Sequence, residues 1–160
     1  MNYKEGKADE LKEKFWRALA DSPFLFLARD DNPQEAVVMT AQLDKDADSE
    51  IWFFTTKDHH LAKMGAATAT FAGDDHEIFA RFQGNLTEET SRERLEKQWS
   101  NIVEAWFPGG KDDPNLLMLR MDLGSAEIWN SDLGMMTTAK MFLGKDVRDE
   151  AKDEHVETAL

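Results

Sequence analysis

Residues 51–63 read IWFFTTKDHHLAK, and they decide what kind of protein this is. Ile51, Trp52, Phe53 and Phe54 are strand formers, and an unbroken apolar run of this kind predicts a strand buried on both faces. The run stops at Thr55 and Thr56, whose hydroxyls sit at the strand end. Asp58 is a good helix N-cap, which predicts a helix with His59, His60 and Lys63 on or near its first turn. Hydroxyls, unsatisfied backbone N–H groups and cations around a helix start are what a phosphate needs. Two readings follow. The stretch is a phosphate-holding strand-to-helix corner, or it is a buried strand followed by a capped surface helix.

The flanking sequence supplies more strands. Residues 24–29 (FLFLAR), 35–43 (EAVVMTAQL), 50–55, 67–72 (ATATFA) and 77–86 (EIFARFQGNL) are predicted strands, separated by the turn-rich DDNPQ, DKDADS and GDDH. Val37, Met39, Ala41 and Leu43 alternate with Val38, Thr40 and Gln42, the period of a half-buried strand. Strands at 115–122 and 125–130 complete the set. A helix is predicted over 5–20, where Ala8, Leu11, Phe15, Ala18 and Leu19 share a face and Asp21-Ser22-Pro23 ends it. A second is predicted over 88–106, with Leu95, Trp99, Ile102, Val103 and Trp106 as its apolar stripe and Pro108-Gly109-Gly110 as its stop. Many short strands joined by tight turns predict a mainly β protein, an antiparallel barrel with peripheral helices. The expected organisation is one domain over 1–143 and a charged, solvated tail over 144–160.

Composition narrows the function. The 160 residues are 41% apolar and 10% aromatic, suited to a single core. A net charge of −13 without a basic cluster disfavours nucleic acid and anionic membranes as partners. A small anion remains suitable, because it needs only a local positive pocket. Absent cysteines exclude disulfides and thiolate chemistry. With neither a spanning segment nor an apolar leader, the expected location is cytoplasmic.

Other motifs fall short. Asp44 to Glu50 imitates a calcium loop, but Ser49 replaces the turn glycine and Thr55 the bidentate Glu, which predicts a solvated hairpin turn. Gly109-Gly110-Lys111-Asp112-Asp113-Pro114 lacks the spacing of a nucleotide P-loop. His59 and His60, as helix neighbours, are expected on different faces, so no metal site is expected among the histidines. Trp106, before the glycine loop, and Trp129, near the last strand's end, stand where a partner surface could use a flat ring.

Four pieces in order carry a family resemblance: Met39-Thr40-Ala41; Trp52-Phe53-Phe54-Thr55; Trp106-Phe107-Pro108-Gly109-Gly110-Lys111-Asp112-Asp113-Pro114; and Ala126-Glu127-Ile128-Trp129. Over about residues 8–143 the chain resembles the flavin-binding split barrels of the pyridoxamine phosphate oxidase superfamily, in the branch of general stress proteins. The resemblance implies a homodimer of six-stranded split barrels with two FMN sites between subunits, FAD being the alternative. It implies that Met39, Thr40 and Ala41 line the isoalloxazine and that Phe54, Thr55, Thr56, His59, His60 and Lys63 face the phosphate. Trp106 and Trp129 would come from the second subunit.

The chain departs from the oxidases at Val37, where they carry an arginine, and at His59-His60-Leu61, where they carry Ser-Arg-Lys. Their C-terminal Arg-Leu substrate motif is missing, so oxidation of vitamin B6 is not expected. A flavin-binding stress protein, acting as an oxidoreductase on an unknown substrate, is the leading expectation. The alternatives are a non-catalytic flavin carrier and a ligand-free interaction dimer. No side chain stands out as a catalytic acid or base.

Overall fold

The computed structural model describes residues 5–44, 50–131 and 155–160. Helix α1 (Glu5–Asp21) leads into β1 (Phe24–Arg29), a 3-10 turn (Pro33–Glu35) and β2 (Val37–Thr40). Then come β3 (Glu50–Thr56), a 3-10 turn (His60–Lys63), β4 (Gly65–Ala72) and β5 (Ile78–Glu88). Two short helices follow, α2 (Arg92–Gln98) and α3 (Asn101–Trp106), then a 3-10 turn (Gly110–Asp112), β6 (Leu116–Asn130) and β7 (His155–Ala159).

All strand pairings are antiparallel, in the order β2-β1-β4-β5-β6-β3, with β7 added to β6. A bridge between Gln42 and Trp52 joins the two ends, which gives a nearly closed six-stranded barrel. Inward residues of successive strands fill it: Leu25, Leu27, Ile51, Phe53, Ala67, Ala69, Phe82, Leu117, Leu119 and Met121 are all buried. Helix α1 packs on β5, β6 and β7. Its Leu11, Phe15 and Leu19, one helical face, are buried, and Phe15 meets Phe71 and Phe82 edge-on at 5.9 and 5.4 Å.

Several expectations need correction. The helix expected over 88–106 is two helices, because Ser91 and Ser100 each cap one: their hydroxyls accept from the N–H of Arg94 at 3.2 Å and of Val103 at 3.3 Å. Trp99 between them is extended. Ile102 and Trp106 leave the expected stripe and are exposed, Trp106 by 78%. The strands expected at 115–122 and 125–130 are one strand, β6. A bulge opposite Gln83 shifts its register, so that one edge pairs β3 up to Asp122 and β7 from Ser125 onward. Strand β2 is shorter than 35–43 because Pro33 starts a 3-10 turn before it.

The tail is also corrected where it is described. Residues 155–159 form β7 on β6, and Val156 is 1% exposed within the core. Residues 144–154 lie outside the described residues, as does most of the hairpin turn expected over 44–50. Among the described residues no helix is long and apolar enough to cross a membrane.

Candidate functional site

The corner after β3 is built differently from the capped α-helix that Asp58 suggests. His59, not Asp58, is the cap: its Nδ1 accepts the backbone N–H of Leu61 at 3.1 Å and starts a 3-10 turn, not an α-helix. Leu61 is buried in the core, which anchors the turn, while Lys57, Asp58 and Lys63 are exposed. The His59 and His60 rings lie against each other, centroids 4.3 Å apart and 33° between planes, contrary to the expectation that they diverge. A 3-10 turn together with an extended His59 brings neighbours to one side that an α-helix would separate. Burial and then the His60 charge hold the His59 imidazole below its usual pKa of 6.5, against the opposing pull of Asp58 and Glu35.

The turn ends on two successive residues with positive φ, Met64 at 59° and Gly65 at 89°. At ψ −160°, Met64 occupies a region nearly reserved for glycine. Its backbone is held from both ends: its N–H donates to the Leu61 carbonyl at 3.0 Å, and Arg29 Nε donates to its own carbonyl at 3.0 Å. Such over-determined strain fixes where β4 begins relative to the corner.

Beside the corner, alternation sorts the candidate side chains by face. Met39 is partly buried against the core, and Ala41 and Thr55 are buried, so the last two turn little but main chain outward. Thr40 is exposed and Thr56 partly so, on the outer face of β2 and β3. Continuing the Gln42–Trp52 register brings Thr40 toward Phe54 and Val38 toward Thr56, along the stretch where β2 and β3 share no ladder. Phe54 points outward but is covered within the chain: Trp99 meets it edge-on at 5.9 Å. Its neighbour Trp52 donates from Nε1 to Glu89 at 3.0 Å and carries the Arg94 guanidinium 4.0 Å over its ring.

Val38, Phe24 and Phe26 adjoin Thr40 on the same outer face, paired as Phe24 with Thr40 and Phe26 with Val38. All three are more than half exposed. Across the sheet the row from Val38 and Phe26 runs through Thr70 to Arg81 and Glu127. Phe79 and Trp129, which face each other on β5 and β6 and are also exposed, flank that polar stretch. Thus five of the large apolar side chains left in solvent share one sheet face, and Ile102 and Trp106 lie on α3. Large apolar side chains left exposed on one face are what an interaction surface would use. Trp129 stacks on His155 at 5.2 Å, at the end of β6 away from the Thr56–Leu116 pair. Trp129 is therefore not gathered with the corner in one chain.

Sequence reasoning passed over Lys57. It lines a cleft of about 430 Å³ beside the corner, together with Lys111, Arg92 and the carboxylates of Glu88, Glu89, Asp112 and Asp113. Its place in the quoted stretch, directly after Thr56, was the available signal. In the glycine loop, the Asp113 carboxylate accepts the N–H groups of Asn115 and Gly109, each at 2.9 Å, which pulls its pKa below the carboxylate range.

An antiparallel split barrel, with threonines and cations at the end of β3 and an apolar outer face, defines a class. The chain belongs to the family described as pyridoxamine 5'-phosphate oxidase like, which matches residues 10–153. Solved structures similar to it include general stress proteins. The general stress FMN/FAD binding protein of Xanthomonas citri is 37% identical with a TM-score of 0.72, over 79% of this chain and 93% of that one. A general stress family protein of Xanthomonas campestris is also 37% identical, with a TM-score of 0.67 over 76% and 89%. General stress protein 26 of Jannaschia sp. is 27% identical, with a TM-score of 0.74 over 95% and 98%. Among curated proteins none matches significantly.

Proposed function

We propose that this protein binds a flavin, FMN in the first place, between two copies of the chain. One observation carries the reading. An exposed apolar platform (Phe24, Phe26, Val38) runs into the Thr40 and Thr56 hydroxyls and then into a corner bearing Lys57, His59, His60 and Lys63. That sequence of surfaces suits a ligand with a flat apolar ring at one end and a phosphate at the other. In a chain of net charge −13, a dianion needs such local compensation.

In this reading the main chain of Met39, Thr40 and Ala41 borders the ring, with the Thr40 hydroxyl at its edge. Thr56, His59, His60 and Lys63 hold the phosphate, and Lys57 adds charge from the cleft side. His59 presents Nε2, since Nδ1 is engaged by Leu61. Thr55 and Phe54 support the strand from inside the barrel and under Trp99. Trp129, at the far end of β6 from the corner within one chain, and Trp106, exposed on α3, reach the site from the second copy. When bound, the flavin supplies the redox chemistry, and the protein supplies position and charge. The apolar face covered by a second copy also accounts for five aromatic and aliphatic side chains left in solvent. The similarity to an FMN/FAD binding general stress protein supports the same ligand class.

The test is a visible absorption spectrum of the purified protein after addition of FMN or FAD and removal of the excess by gel filtration. A flavin spectrum that travels with the protein supports the proposal. Colourless protein after both additions contradicts it.

A further inference from the structure

We propose that Glu127, His155 and Glu157 form a divalent-cation site, suited to zinc, on the outer face of the sheet where β7 joins β6. The proposal does not rest on a bound flavin, although its ligands share the sheet face of Phe79 and Trp129. The register sets Glu127 opposite Glu157 and Trp129 opposite His155, so all three candidate ligands stand on one face of two adjacent strands. Their ligand atoms lie within 4.8 Å of one another. His155 Nε2 is 3.4 Å from Glu127 Oε1. That is long for a charge-assisted hydrogen bond, which runs about 2.7–2.9 Å. It matches the edge of a zinc tetrahedron, since bonds of about 2.0–2.2 Å set neighbouring ligand atoms roughly 3.3–3.6 Å apart. Glu157 is exposed, so its side chain can turn to close the remaining edges.

The surroundings support the same use. Glu127 and Glu157 oppose each other on neighbouring strands, Arg81 offsets the charge of Glu127, and in a chain of net charge −13 a dication would offset what remains. Arg81 donates to Glu127 Oε2, leaving Oε1 turned toward the imidazole. Trp129 lies parallel to the His155 ring within 20° and fixes its plane. An engaged carboxylate and an oriented imidazole are what the outer shell of a metal site provides. A cleft of about 400 Å³ lined by Arg81, Gln83, Ser125, Glu127 and Glu157 opens beside the two carboxylates. One imidazole with two carboxylates at such spacing suits zinc better than calcium, which prefers six or more oxygens.

The experiment is calorimetric titration of chelator-treated, dialysed protein with zinc chloride, repeated on Glu157→Gln, His155→Ala and, as a control, the exposed His76→Asn. The expected result is one zinc per chain, bound at least tenfold more weakly by E157Q and by H155A and unchanged in the control. E157Q alters an exposed side chain, so its result stands even where H155A disturbs β7. No binding by wild type at micromolar zinc, equal binding by wild type and E157Q, or loss in the control alone would overturn the proposal.

Discussion

His59 Nδ1 accepts the backbone N–H of Leu61, so the cap of the corner after β3 is a neutral imidazole with its remaining proton on Nε2. Protonating His59 destroys that cap, since Nδ1 becomes a donor facing another donor. Burial and His60 already hold its pKa below 6.5. The folded state therefore binds this proton less readily than the unfolded chain, and stability falls as the pH drops below about 6.5. Asparagine also caps well but does not titrate. His59→Asn should flatten the fall in melting temperature between pH 7.5 and 5.5. Parallel curves for the two proteins would show that the cap does not couple to protonation.

Gly84 sits at the bulge that lets β6 change partners from β3 to β7. A Cβ there would meet the Asp122 carbonyl oxygen at 2.6 Å and Met121 at 2.9 Å. The oxygen belongs to the backbone of a paired strand and cannot swing away. Gly84→Ala should cost about 1–3 kcal/mol by overpacking, read as a lower denaturation midpoint. A variant as stable as wild type would mean that the bulge is soft.

Much of the barrel was legible in the sequence. The run at 51–56 and the alternation at 37–43 announce strands, and the Leu11–Phe15–Leu19 face announces the helix that covers them. The two-helix break was written too, in Ser91 and Ser100, but a continuous apolar stripe outweighed two capping serines. The role of the C-terminal residues was not legible. A single buried Val156 among charges gives no period, and only the free edge of β6 beyond its bulge makes a strand of it. Likewise the corner's Asp58 is the better cap by type, and His59 takes the role because Leu61 must reach the core.

Val156→Ala tests whether β7 belongs to the cooperative core. Removing two buried methyl groups should cost about 1–3 kcal/mol, measured by chemical denaturation. An unchanged midpoint would return residues 155–160 to the solvated tail expected from composition.

A second copy should cover the outer face that carries Phe26 and Val38, which oppose each other on β1 and β2. Sedimentation should give a dimer mass for wild type, and Phe26→Asp should shift it to a monomer with the fold retained by circular dichroism. A charge at the centre of an apolar interface remains unpaired when the partner binds. A monomer mass for wild type at high concentration would contradict the interface.

The central claim is that the corner holds a flavin phosphate, and the direct measurement is a fluorescence titration of wild type and Lys63→Met with FMN and with riboflavin. Lys63 is exposed at the end of the 3-10 turn, and methionine keeps most of its apolar stem without the charge. Loss of one charge-assisted contact should weaken FMN binding by roughly ten- to a hundredfold. Riboflavin, which has no phosphate, should bind both proteins equally. Equal losses for the two ligands, or no loss for either, would contradict a phosphate site at this corner.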